Sequence, residues 1–473
     1  MNKENTILLG LSIPAFIASL VTLFVGVIGG LIGIWAYLVW KLAVPEYIKV
    51  GHAHTAWWSA FILLASLLLP QLHLKQWFKK FSVWTFLLAP LLWIICLSVY
   101  YISKAKKGVV SPVISSVGDL GAEYLVYGTG IFVMEVWFFA VFFLIVLSAV
   151  GGKIPFIYSP ESKPQKYDLI SDIEIPRKIF WIPLIFGILG ILAGWYMTVR
   201  FKLFHKPISP AAIVQFHSHI LFFVVGFQLV LIIMKAVGVK DTVFKMATKL
   251  GTIAIPLTYI GYIGFIKLNL HSIIYVIPAV VYYVFLFLGL ITTLGKFGMK
   301  IEGGPGDYIR GTMTFVWVLL LFLVSIGFLI ALKWDTKPDI TVTFKQPEGI
   351  PYPGSYPQHY IGTEPVAHTP RGLENAHLSP GSWSHIALLW LVIMLIFGQQ
   401  IFETIGKPNL LFLIVTTIPL APFFNAVGRF AAWLDLPYGI GPHYFAGQPL
   451  KTFNIIFLFI VSLVLISRLK HKN

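Results

Sequence analysis

Apolar runs of roughly 20 residues recur along the whole chain, and they leave it few ways to fold. A run of that length spans the hydrocarbon of a bilayer as a helix, with every backbone polar group satisfied inside the segment. Of 473 residues, 58% are hydrophobic and 11% are charged, with a mean hydropathy of +0.83. That balance excludes a soluble domain. The pattern predicts an all-α polytopic membrane protein with about twelve helices, at roughly 6–42, 51–72, 81–103, 124–150, 178–201, 211–237, 246–267, 271–295, 309–333, 383–402, 408–432 and 450–468. The first run is longer than a signal-peptide core and has no clear cleavage site, so it is expected as a retained helix.

Three histidine-headed segments divide the chain. They read Gly51-His52-Ala53-His54-Thr55, Phe216-His217-Ser218-His219-Ile220 and Ser382-Trp383-Ser384-His385-Ile386. His54, His219 and His385 recur at nearly equal spacing, about a third of the chain apart. Pro90, Pro256 and Pro419 recur in the same way, each in the apolar run after the histidines. Gly33-Ile34-Trp35 and Ala193-Gly194-Trp195 add a weaker marker one run before them. The helices therefore group as three pseudo-symmetric four-helix repeats, 1–150, 178–295 and 309–468, inside one membrane domain, 1–473.

The net charge of +16 follows topology. Lys and Arg favour one side modestly, chiefly through Lys153 to Lys178 and Lys235 to Lys249. This places the N-terminus in the cytoplasm and the chain as a multi-pass protein of the cell (plasma) membrane. No basic patch with interleaved aromatics stands apart, so nucleic acid is not an expected partner. Cys96 is the single cysteine, which excludes internal disulfides and Cys-x-x-Cys-His haem attachment. It reads as a packing residue. The polar stretch from Gly151 to Arg177 reads as a flexible inner connector. The stretch 335–382, rich in Pro, Gly, Tyr and His, reads as an outer-face loop. It is either a docking surface or a low-complexity linker.

Neutral imidazole is a good axial ligand for haem iron and for copper. Ionisable groups inside a membrane are functional candidates by default. Residues i and i+2 of a helix point about 200° apart. One His-x-His helix therefore faces two pockets, and three such helices line three. By this symmetry His54 and His217 share one pocket, and His219 lies opposite Trp383 in another, as a lone ligand, a donor or an unused side chain. His377, in Ala376-His377-Leu378, reads as a loop histidine exposed to solvent or as an extra ligand. His73, His205, His271, His359, His368, His443 and His471 receive no role.

On these residues the chain resembles the catalytic subunit of the haem-copper oxidase superfamily. The resemblance covers the layout of the whole chain and the histidine helices locally. It implies that His52 and His385 hold a low-spin haem b, and that Arg429, in Asn425-Ala426-Val427-Gly428-Arg429, binds haem propionates. The departures are specific. Trp383 stands at the position of the oxygen-binding haem's histidine. The sixth helix lacks the His-Pro-Glu-Val-Tyr sequence, and the seventh reads Thr258-Tyr259-Ile260-Gly261-Tyr262 where the family has a His-His pair. Copper is therefore not expected, and oxygen reduction at a haem-copper centre is not carried over. His54 and His217 are expected to hold a second bis-histidine haem.

Glu135, in the middle of the fourth helix, reads as a proton or quinol group or as a buried structural carboxyl. Asp119 and Glu123, at the entrance to that helix, read as solvated. The expected function is electron transfer by a membrane-embedded b-type cytochrome with one or two haems in a respiratory complex. Its partners would be other subunits and a membrane quinone or an outer-face redox protein. The alternatives are a nitric oxide or oxygen reductase-like enzyme with a metal site built from His217, His219 and His377, and a haem-free transporter.

Overall fold

The computed structural model describes residues 5–40, 46–106, 122–200, 211–295 except 269 and 272, 305–334, and 370–471 except 407, 438 and 440. Most of the expected outer loop, with His359 and His368, lies outside the described residues, as do Asp119, His205 and the side chain of Glu123. The helices are α1 (Ile13–Trp40), α2 (Glu46–Leu68), α3 (Gln76–Lys106), α4 (Ala122–Ala149), α5 (Trp181–Thr198), α6 (Ala211–Ala236), α7 (Asp241–Leu268), α8 (Ile273–Thr293), α9 (Pro305–Trp334), α10 (Pro370–Ile405), α11 (Pro408–Thr417), α12 (Leu420–Trp433) and α13 (Gln448–His471). Among the described residues ten spans are long and apolar enough to cross a membrane, the last two helices before α13 together forming one of them. The protein is thus a helical polytopic membrane protein.

Two expectations fail at one end of the bundle. The first apolar run does not begin as a helix: Thr6–Ser12 is a strand, β1, and α1 starts only at Ile13. A short apolar run does not distinguish a buried strand from a helix by pattern alone. Pro14 marks the change, since a proline ring suits a helix's first turn. Gly10 allows β1 to lie close: a Cβ there would sit 2.6 Å from Pro70 Cβ. The second failure is the flexible connector. Asp168–Pro176 is a strand, β2, antiparallel to β1, with Ile7 opposite Ile175 and Leu11 opposite Leu169 across a bulge between Leu8 and Gly10. The stretch before it is tied to α3 by its polar groups. Gln76 Nε2 and Lys79 Nζ both donate to Lys163 O (2.7 and 3.2 Å), and Ser162 Oγ donates to Leu74 O (2.6 Å). Part of the connector's polarity is spent on these bonds and on the strand pairing, while Lys153, Glu161, Lys163, Lys166, Asp172 and Glu174 remain exposed.

The same end carries two tight helix stops. At Gly238 (φ +71°) the N–H bonds back to Lys235 O and that of Val239 to Met234 O. At Gly151 (φ +105°) the bonds run to Ser148 O, and from Gly152 to Leu147 O. Both are Schellman motifs, which need the left-handed backbone that glycine adopts without strain. Pro90 and Pro256 lie inside α3 and α7, while Pro419 sits in the turn between α11 and α12.

Candidate histidine site between the inner helices

The helices that carry the histidines are the inner ones. Within the Gly51–Gln71 span 83% of the apolar window is buried, and 72% within both His217–Ala236 and Ala376–Ile405. The remaining spans bury 39% to 50% and face outward. The three inner helices meet at an aromatic contact. Trp57 of α2 lies edge-on to Phe222 of α6 (4.2 Å between ring centroids), and Phe222 lies edge-on to His385 of α10 (5.2 Å).

One contact recurs on all three. His52 Nδ1 lies 3.2 Å from Gly26 O of α1, His217 Nδ1 lies 2.7 Å from Gly190 O of α5, and His377 Nδ1 lies 2.5 Å from Leu323 O of α9. A carbonyl accepts only, so Nδ1 must carry the proton, and in a neutral ring Nε2 then presents a bare lone pair. His385 reaches the same tautomer through Gly381 O, one turn back on its own helix (2.9 Å). Glycines make room for two of these rings. A Cβ at Gly194 would lie 2.6 Å from His217 Cε1, and one at Gly327 would lie 2.8 Å from His377 Cε1.

His377 is therefore not a solvated loop residue. α10 begins at Pro370, and His377 sits on it, two turns before His385 and partly buried. Pro380 and Gly381 resemble helix stops, but neighbouring helices sustain an interrupted backbone inside a membrane bundle. This register also moves Trp383. Six residues past His377, it points about 240° away. His219 accordingly faces His377 (6.3 Å between centroids, 21° between planes), while Trp383 lies against His52 (6.4 Å).

The histidines fall into three neighbourhoods. In the first, His219, His377 and His385 line a cavity of about 130 Å³ between α6, α8, α9 and α10, together with Tyr262, Tyr275 and Tyr282. The Tyr282 hydroxyl donates to Phe223 O (2.9 Å).

In the second, on the opposite face of α2 from His52, His54 packs on Trp93 (5.0 Å). Trp93 Nε1 donates to Glu135 Oε1 (3.0 Å), and so does Thr198 Oγ1 of α5 (3.4 Å). Glu135 is thus a hydrogen-bonded buried carboxyl with indole and hydroxyl donors. Two turns earlier on α5, Gly190 accepts from His217, so one helix reaches both Glu135 and the His217 ring.

In the third, the sequence points to His52 and Arg429 but not to Lys451 or His443. Beside His52 lie Arg429, Lys451 and His443, close enough to act on one another's charge. Lys451 is fully buried, with Nζ 4.2 Å from the Trp383 ring centroid and no hydrogen-bond acceptor among the described residues. His443 Nδ1 and Gln448 Oε1 are buried without partners as well, although Gln448 Nε2 and His443 Nε2 lie 3.2 Å apart. Arg429 Nε donates to Asn425 Oδ1 (3.0 Å), and Asn425 Nδ2 donates to Ser379 Oγ (3.1 Å). His443 received no role, and lay outside the last span, because that span was expected to open at 450. It opens at His443, with one π-helical turn before α13.

Among the described residues no group of three or more His, Cys, Asp and Glu is placed to hold a bare metal ion. Cys96 packs against α4, where a Cβ on Gly130 would meet its Sγ at 2.9 Å. No known protein family matches the chain, and no curated protein matches its sequence.

Proposed function

We propose that the chain is a membrane-embedded b-type cytochrome, a relative of the haem-copper oxidase catalytic subunit without its copper site. It transfers electrons through one or two bis-histidine haems. The observation that carries this reading is the repeated Nδ1 contact. Metal-bound histidines almost always donate their second nitrogen to a carbonyl or carboxylate, which fixes ring and tautomer. Four buried or half-buried histidines here have that arrangement. His52 and His385 are assigned to one haem and His54 and His217 to the second, with His219 the remaining candidate ligand.

The residues present also suit the acidic edge of a haem. Beside His52, Lys451 is a buried cation and Arg429 a partly buried one, and a buried ammonium without an acceptor is costly unless an anion joins it. Two propionates supply that charge. Haem iron, when bound, carries single electrons between ferric and ferrous states, and two axial histidines leave no open position for gas chemistry.

In this reading the helices form three sets of four, with the N-terminus cytoplasmic and the chain in the plasma membrane. It works beside other respiratory subunits and exchanges electrons with a membrane quinone or an outer-face redox protein. Glu135 is the candidate proton or quinol group. A pyridine haemochrome spectrum with iron and copper analysis of the purified protein tests it. One or two b haems per chain without stoichiometric copper is the expected result, and protein without haem refutes it.

One observation favours a second reading, a reductase-like enzyme with an unusual metal site. His219, His377 and His385 share a cavity with three tyrosines. His217, turned to Gly190, gives way to His385 in that set. Strong carbon monoxide binding by the reduced protein would select this reading over the cytochrome.

A further inference from the structure

A charged feature lies at the end of the bundle where β1 and β2 pair, away from the three histidine neighbourhoods. A cavity of about 1170 Å³ opens between the ends of α4 and α6 and the beginnings of α5 and α7. Lys153, Arg177, Lys178, Lys235, Lys245 and Lys249 line it. Asp241 is its one carboxylate among the described residues, and Lys235 already holds it at 2.9 Å. Arg177 is committed too, donating to Ser148 O and Ala149 O at the end of α4 (3.2 and 3.1 Å). Lys153, Lys178 and Lys249 form no ion pair with a carboxylate among the described residues, and Lys245 acts on Asp241 only through its charge, without direct contact. The positive ends of α5 and α7 also point into this space.

The cavity sits at headgroup depth. Lys235 is one residue from the end of its span, and Arg177 begins the next. From its rim two apolar stripes run into the membrane. On α5 the exposed face is Trp181, Ile185, Leu192 and Tyr196, and on α7 it is Met246, Ile253, Leu257 and Ile260. Each set falls on one side of its helix. The two helices are neighbours, joined by an edge-on contact between Phe186 and Tyr259 (5.8 Å). Trp181, itself in the cavity wall, is the kind of residue that sits at the membrane–water boundary.

We propose that this cavity binds the phosphate headgroup of an anionic phospholipid, with the acyl chains lying along α5 and α7. A soluble phosphate compound would use the lysines but not the stripes. A neutral lipid would use the stripes but leave the lysines without a counter-charge. The proposal is independent of the haem reading, since none of these residues touches the histidine neighbourhoods.

The test uses the whole protein in nanodiscs of phosphatidylglycerol mixed with phosphatidylcholine, with native mass spectrometry of the lipids it retains. Phosphatidylglycerol should be retained in excess of its share of the bilayer. In a Lys178→Gln/Lys245→Gln/Lys249→Gln variant that excess should fall about five-fold for each lysine removed, the weight of one cation near an anionic surface. These lysines are exposed, so folding should persist, which an unchanged melting temperature in pure phosphatidylcholine verifies. Equal retention of both lipids, or an excess that the variant keeps, overturns the proposal. Displacement of the lipid by inorganic phosphate or ATP at physiological ionic strength overturns it in favour of a soluble anion.

Discussion

Replacing Lys451 by methionine should change the protein's stability in opposite directions with and without the proposed haem. In the apoprotein the ammonium is fully buried, and its visible compensation is the face of Trp383 at 4.2 Å. A desolvated cation–π contact is worth about 2 kcal/mol, against a desolvation penalty of several kcal/mol. An apolar side chain of similar length should therefore stabilise the apoprotein by about 1–4 kcal/mol. If a propionate or another carboxylate joins Lys451, the same change removes a charge-assisted hydrogen bond worth about 1.5–3 kcal/mol. The holoprotein should then lose stability and bind haem more weakly. The assay is the melting temperature of Lys451→Met and the parent, each prepared with haem and under haem limitation. For a chain this long, 1 kcal/mol moves the midpoint by roughly 2 °C or less, so the reversal amounts to a few degrees in each direction. A variant that stabilises both forms equally shows that no anion reaches Lys451. A variant that destabilises both shows that the cation–π contact outweighs the desolvation, which refutes the energetic reasoning.

Three further outcomes are expected. Gly194→Ala places a methyl 2.6 Å from His217 Cε1 and should push the ring off Gly190 O, at an overpacking cost of about 1–3 kcal/mol. On the two-haem assignment its haem content should fall by one per chain, and a full complement in the haemochrome assay would separate His217 from haem binding. His54→Ala should likewise remove one haem and leave the other, and a spectrum unchanged in amount would end the second-pocket assignment. Burial holds the Asp168 carboxyl above the usual carboxylate range, opposed by the Gln165 N–H it accepts (2.6 Å) and by Lys79 and Ser12. The fold therefore binds this proton more tightly than the unfolded chain does. Its contribution should decline as pH rises from the ordinary carboxylate value through the folded one, and stay level above it. Asp168→Asn keeps an acceptor for Gln165 and should flatten that part of the melting-temperature profile, whereas an unaltered slope would assign it to other groups.

The helical architecture was legible because membrane helices announce themselves by length and apolarity, and α3, α4 and α6 begin and end within a few residues of expectation. β1 was not, because Thr-Ile-Leu-Leu-Gly-Leu-Ser is as apolar as the helix that follows it. Its partner β2 is 156 residues further on, from Ser12 to Asp168, and no local pattern reveals that pairing. The divergence of His52 and His54 to opposite sides of α2 followed from helix geometry alone. The place of His377 did not. It depends on α10 continuing through Pro380, a matter of packing against α9 that periodicity does not record. Lys451 was hidden for a related reason. A lysine near an expected helix end, two residues after Pro449, resembles an interfacial anchor until the neighbouring Arg429 and Trp383 are brought to it in space.

The two ends of the bundle treat charge differently, and the contrast supports the division of labour drawn above. Around β1 and β2 the charged groups are mostly exposed or matched: Lys235 with Asp241, Arg177 with carbonyls, Lys79 with the carbonyls of Pro70 and Lys163. The exception is Asp168, whose Oδ1 is buried without a partner while Oδ2 accepts from Gln165 N–H. Among the inner helices, Lys451, His443 and Gln448 keep buried polar atoms without partners, and four histidines are held in one tautomer with Nε2 undonated. A fold selected for stability alone has no use for such groups at a site closed to water, where each costs about 1–3 kcal/mol. They persist where a ligand completes them. The proposed haem reading calls for two kinds of complement, an electron-pair acceptor for the imidazoles and an anion for the cations beside His52. A haem supplies both from one molecule, iron at its centre and carboxylates at its edge, which a bare metal ion or a lone anion does not.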